Sequence, residues 1–307
     1  MFSAKKTLAE AWKITQQNKR HLFWYGFLPS FFAIGVGVLI VIIQIILVKN
    51  SSFFLESTEK AMSIFDIMRP VWHWIMSPEV PTQAAITTII LVFLLAYILP
   101  VFCEGAIILM TKNRNENDEM GSGFGKGMSC FLPMFEFSLM QGTIKPYSMF
   151  LEFLFIARIL GKESVPFLKP LFFIIVILGS IALFFFTFVA QFIALKKEKM
   201  GDATLSSLKF VSRFFTETMK VLVLFIFIEL RTLFNVLVVF LLPFVLFSMG
   251  GIIAEGIFGL IAQVIVGLII LSLAASISGV LFVYKNVAWT LVFLKLQEIK
   301  AREDADE

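Results

Sequence analysis

Four stretches of this chain, 22–48, 80–103, 170–195 and 256–284, contain no charged residue over 24 or more consecutive positions. A helix needs about 20 apolar residues to cross the ~30 Å hydrocarbon core of a bilayer, and each stretch exceeds that. An integral membrane protein of the all-α class is therefore expected. Composition agrees. The chain is 59% hydrophobic with a mean hydropathy of +0.90, whereas a soluble domain is about 45–50% apolar. The 37 phenylalanines fit lipid-facing helix surfaces and need no aromatic binding site.

Charge placement sets the expected topology. Residues 1–21 hold Lys5, Lys6, Lys13, Lys19 and Arg20 against one acid, Glu10, which marks a cytoplasmic segment under the positive-inside rule. The first apolar run is too long for a signal-peptide core and lacks a small-residue cleavage site, so it is expected to stay as an uncleaved span. Two further spans carry charge. Segment 131–160 contains Glu136, Lys145, Glu152 and Arg158 and is interrupted near 142–146 by a glycine and a proline; segment 218–249 contains Glu229 and Arg231. Six spans result, at about 22–48, 83–110, 131–160, 170–195, 218–249 and 256–290, in a single membrane domain covering 1–307 with both termini cytoplasmic. On that topology eighteen of the 26 basic residues fall in inner segments and seven in outer ones, with Arg231 left in a span. The outer segment 50–80 places Phe54, Ala61, Phe65, Met68 and Trp72 at helical spacing, as expected of an amphipathic helix lying in the outer interface.

A faint internal repeat accompanies the spans. Met120-Gly121 and Met200-Gly201 each precede an amphipathic stretch that leads into a span, and Thr7-Leu8 aligns with Thr204-Leu205. Three units follow, each an elbow helix and a hairpin. An elbow with its apolar face in the inner leaflet and Lys and Arg on the other face would set the entry angle of the hairpin behind it.

The opening TLAEAWKITQQNKRHLFWYGFL, the close of the second span in CEGAIILMTKNR, and the third elbow GDATLSSLKFVSRFFTETMKVLVLF together resemble the bacterial six-helix membrane proteins grouped with the membrane domain of glycerophosphoryl diester phosphodiesterases. The resemblance covers nearly the whole chain and implies a multi-pass bundle in a bacterial inner membrane. In the full enzymes of that group the phosphodiesterase is a separate soluble barrel, with no counterpart among these spans. Neither activity nor catalytic residues carry over.

No catalytic constellation is visible, so a non-enzymatic protein is expected. The run GSGFGKG at 121–127 lacks the first glycine and the Ser/Thr of a phosphate loop and reads as a flexible turn. Cys103 and Cys130 read as reduced apolar thiols. His21 and His73 fall on opposite expected sides and cannot share a metal, and no cofactor is expected. Pro29, Pro100 and Pro243 lie in or near spans and read as ordinary kinks. The acidic tail from Ala301 reads as a solvated terminus.

The informative groups are ionisable residues at membrane depth, which cost at least ~2.5 kcal/mol near the bilayer centre and so face a bundle interior or water. Glu229 and Arg231 are two apart and point to different sides of a helix, whereas Arg231 and Asn235 are four apart and share a face. If the fifth span begins at 232, Arg231 is an interfacial anchor instead. Two functions are open. In one, the protein organises the bilayer or a partner, its basic elbows, including 196–220, binding anionic headgroups at the cytoplasmic face. In the other, it is a transporter or lipid-handling channel whose polar site comprises Glu104, Glu152, Glu229, Arg231 and Asn235. The lipid bilayer is the expected partner in both, and nucleic acid in neither.

Overall fold

The computed structural model describes residues 2–17, 22–49, 82–115, 123–226 and 257–306. The outer segment 50–80, Glu229, Arg231, Asn235, Pro243 and most of the expected fifth span lie outside them. Among the described residues there is no strand. In chain order the helices are α1 (Ala4–Gln17), α2 (Leu28–Lys49) behind a π-helical turn (Leu22–Phe27), α3 (Thr82–Asn115), α4 (Gly123–Ser129), α5 (Phe131–Ile144), α6 (Pro146–Leu160), α7 (Val165–Phe185), α8 (Val189–Lys196), α9 (Met200–Arg213), α10 over 215–226, and α11 (Ile257–Asp306).

Among the described residues, four helical stretches are long and apolar enough to cross a membrane: Leu22–Ile40, Ile90–Asn113, Val165–Lys196 and Ile265–Ala305. Their surfaces suit lipid. Along α7, Phe173, Ile174, Ile177, Leu178 and Ile181 are all exposed, a stripe with the i, i+4 recurrence of one helix face. In water such a patch would mark an interface; against acyl chains it is ordinary surface.

α11 organises the rest. At 1.5 Å per residue its 50 residues span about 75 Å, more than twice a bilayer core. It packs against the π-turn, α1, α2 and α3. Where it crosses the π-turn, Gly26 and Gly279 bring two backbones together: an ideal Cβ on Gly279 would lie 2.5 Å from the Gly26 carbonyl carbon. Small residues permit such approaches between membrane helices. Beyond the crossing, the main core forms where α3, α8, α9 and α11 converge on Phe188, whose ring meets Phe210, Trp289 and Phe293 at centroid distances of 5.3–5.7 Å.

The structure corrects two expectations, for the turn at 121–127 and for the face of α1, and sharpens two others, the break in 131–160 and the acidic tail. Segment 131–160 is two helices, α5 and α6, meeting at Lys145 in extended backbone (φ −65°, ψ 135°); Pro146 opens α6, and proline disfavours helical backbone at the residue before it. Of the run 121–127, residues 123–127 are helical, the start of α4, which packs on α3; a Cβ on Gly127 would lie 2.8 Å from the Phe102 carbonyl oxygen, so only glycine lets the two backbones meet there. The buried face of α1 (Thr7, Leu8, Ala11, Thr15) is covered by protein and not by the leaflet: Trp12 meets Tyr284 edge-on at 5.4 Å, and Lys295 Nζ reaches Glu10 at 2.6 Å. Lastly, the acidic tail is exposed over 301–305, as expected of a solvated terminus, but it is not free. It continues α11 to Asp306 and pairs with Arg213.

Candidate functional site

Glu104 sits on the most tightly packed length of α3. Its neighbours Cys103, Ala106, Ile107 and Ile108 are all buried in the core, and Gly105 lies against Cys130 and Met134. The helix cannot turn there, and the carboxylate is held toward a partly enclosed cavity of about 500 Å³. That volume is in the range of small-molecule sites.

Two breaks in helices flank the cavity. The first is the α5–α6 junction, from which Lys145 lines the wall. The junction packs on Gly179, where an ideal Cβ would meet Met149 and the Ile144 carbonyl, near the middle of the apolar stretch Val165–Lys196. The second break separates α7 from α8 at 186–188. Ser207 of α9 repairs it: its Oγ donates to the Phe185 carbonyl at 2.7 Å and accepts the Phe188 N–H at 3.2 Å. A buried side chain thereby satisfies backbone groups that an interruption would otherwise orphan. Phe186 and Thr187, in the break, face the cavity.

Lys285 and Asn286 of α11 complete the polar wall. Glu104, Lys145 and Lys285 therefore line one cavity, two cations and one anion drawn from three separate parts of the chain. The remaining polar groups differ in availability. Ser180 and Thr187 donate their hydroxyls to the carbonyls of Val176 and Phe184, and Asn286 donates its amide to Phe282. Gln191, by contrast, is 2% exposed, lines the cavity, and has no hydrogen-bond partner for Oε1 among the described residues. Buried polar atoms are nearly always paired, so this acceptor is available to a donor brought into the cavity. The lining also carries an aromatic pair, Trp289 stacked on Phe225 at 5.1 Å and 21°. The arrangement offers cations to an anionic group, a carboxylate and an amide oxygen to a donor, and ring faces to an apolar portion.

Of the residues singled out from sequence, Glu104 lines the cavity. Glu152 is exposed on α6 and is not among the lining residues, while Glu229, Arg231 and Asn235 lie outside the described residues. Lys145, Gln191 and Lys285 were missed as site residues. Lys145 had a local signal, its place before Pro146 in an interrupted span, and Gln191 is a lone amide in an apolar run. Lys285 directly follows the charge-free stretch 256–284. Among the described residues no group of three His, Cys, Asp or Glu side chains could hold a metal ion. No known protein family matches the chain, and neither a curated protein nor a solved structure shows significant similarity to it.

Proposed function

We propose that this is a non-enzymatic, multi-pass membrane protein that binds a polar, charge-bearing solute or lipid headgroup in the cavity and moves it across part of the bilayer. One observation carries the reading: Glu104, Lys145 and Lys285 converge on one cavity beside two helix breaks. Charged groups at membrane depth mark substrate paths, and discontinuous helices are how transporters build sites at the bilayer midplane. The six-span topology, with both termini in the cytoplasm of a bacterial inner membrane, belongs to the same proposal, as does the likeness to the six-helix group. α9 supports the orientation through its exposed Leu205 and Leu208 with Lys209 alongside; apolar and basic faces side by side suit an anionic leaflet surface.

The test is reconstitution into vesicles containing a nitrobenzoxadiazole-labelled phosphatidylethanolamine, with dithionite quenching as the measure of transbilayer movement. The intact protein is expected to accelerate movement over empty vesicles, and Glu104→Gln and Lys145→Gln each to slow it by about tenfold, equivalent to about 1.4 kcal/mol of barrier. Equal rates in the intact protein and both variants would overturn the reading for lipids, and the same variants then decide it for solute flux.

A further inference from the structure

A second cavity, of about 310 Å³, opens between α8, α9 and α11. Its chemistry differs from the first. Lys196, Lys209, Arg213 and Lys300 line it against a single carboxylate, Glu198. Phe192 and Phe210, both buried, form an apolar floor, and Lys196 Nζ is held over the Phe192 ring at 5.1 Å. Two lining groups have buried polar atoms with no partner among the described residues: Gln297 Nε2, a donor, and Glu198 Oε2, an acceptor. Native interiors seldom leave such atoms unpaired.

Arg213 is engaged from outside the cavity. Its Nη2 donates to Glu303 Oε2 and Asp304 Oδ1, both at 3.0 Å, and these carboxylates come from the last turns of α11, just beyond Lys300. The pairing keeps the guanidinium charged more firmly than usual, through hydrogen bonds first to Asp304 and then to Glu303. All three side chains are 40–50% exposed, and exposed ion pairs are weak and readily exchanged. Two adjacent carboxylates on one arginine present the same set of charged acceptor oxygens that a phosphate group does.

We propose that this cavity binds a phosphate-type anion, and that Glu303 and Asp304 occupy its arginine when the anion is absent. A phosphate has enough acceptor oxygens to take the Arg213 fork, a lysine ammonium and the orphaned Gln297 N–H together, and its remaining hydroxyl can donate to Glu198 Oε2. Inorganic phosphate and the phosphodiester of an acidic phospholipid share the acceptor oxygens; the donor to Glu198 is a P–OH in the first and a glycerol hydroxyl in phosphatidylglycerol. The inference is independent of the intramembrane cavity and concerns different residues.

The experiment uses the full chain in nanodiscs with a nitroxide attached through Ala305→Cys. Cys103 and Cys130 are buried, so the introduced thiol takes the label selectively. In phosphatidylcholine discs the label is expected to be restrained, and to become mobile on adding sodium phosphate but not sodium chloride of equal ionic strength. Mobility in phosphatidylcholine discs with phosphate identifies a soluble anion as ligand. Mobility only in discs containing phosphatidylglycerol, without phosphate, identifies the headgroup. In either case Lys209→Gln/Lys300→Gln should raise the anion concentration needed by roughly tenfold. In unlabelled protein, Glu303→Gln/Asp304→Asn should bind the anion roughly two- to tenfold more tightly, the span expected for losing competition from two exposed pairs. A label mobile from the outset, a chloride effect equal to that of phosphate, or a response untouched by the lysine changes would overturn the proposal.

Discussion

Gly279→Ala isolates one contact on which the fold depends. An ideal Cβ at this position would stand 2.5 Å from the Gly26 carbonyl carbon and from the Phe27 nitrogen, and 2.8 Å from the Gly26 oxygen. Optimal separation between non-bonded carbon atoms is about 3.5–4.0 Å, so α11 and the π-turn must part by roughly 1 Å. All three clashing atoms are backbone, and no rotamer change relieves them. Overpacking of this kind costs about 1–3 kcal/mol. Alanine also gains about 1 kcal/mol over glycine within a helix, which a control removes: on α2, a Cβ at Gly37 would meet nothing within 4 Å, so Gly37→Ala carries the propensity gain without the clash. The difference between the two variants is the cost of the crossing, about 1–3 kcal/mol, or about 2–12 °C at 2–4 °C per kcal/mol. A thiol-reactive fluorogenic dye reads unfolding in detergent directly, because Cys103 and Cys130 are 1% and 5% exposed in the folded state. Gly26→Ala should behave like Gly279→Ala, and the double variant should cost less than the sum, since both changes open one contact. If Gly279→Ala melts at the same temperature as Gly37→Ala, the close crossing is wrong, and with it the placement of the α11 segment that carries Lys285.

Three further predictions follow from named contacts. Ser207→Ala should destabilise the protein by about 1–3 kcal/mol, because it strands the buried Phe188 N–H and Phe185 carbonyl; the same thermal assay measures it, and an unchanged melting temperature would mean that another group satisfies the α7–α8 break. Gln191→Leu removes an unpaired buried acceptor at similar volume, so thermal stability should hold or rise while transbilayer movement falls; lost stability would show that Oε1 is paired after all. Glu10→Gln breaks the 2.6 Å contact with Lys295, but the pair is exposed and should be worth under about 1 kcal/mol, with a melting shift near the limit of detection.

The break at Lys145 was legible in the sequence because Pro146 follows it and proline disfavours a helix at the preceding residue. The break at 186–188 was not. It falls in the run FFFTFV, with no proline or glycine, and exists because Ser207, about twenty positions away, supplies the missing partners. Glu104 was recognisable as a charge at membrane depth; that Lys145 and Lys285 would stand near it was not, since the three come from α3, the α5–α6 junction and α11. Lys285 reads locally as the end of a span, and only the packing of α1, α3 and α8 on 283–296 shows that the helix runs on through it.

What the sequence determined alone follows from one-dimensional costs: burying a charge in hydrocarbon is expensive, so charge-free length implies helices able to span a membrane, and proline placement implies one break. What only the tertiary structure decided depends on pairs of residues distant in the chain. Gly26 against Gly279, Ser207 against 185–188, the charge cluster around Glu104 and the carboxylates on Arg213 each need two segments brought together, and neither partner's local sequence specifies the other.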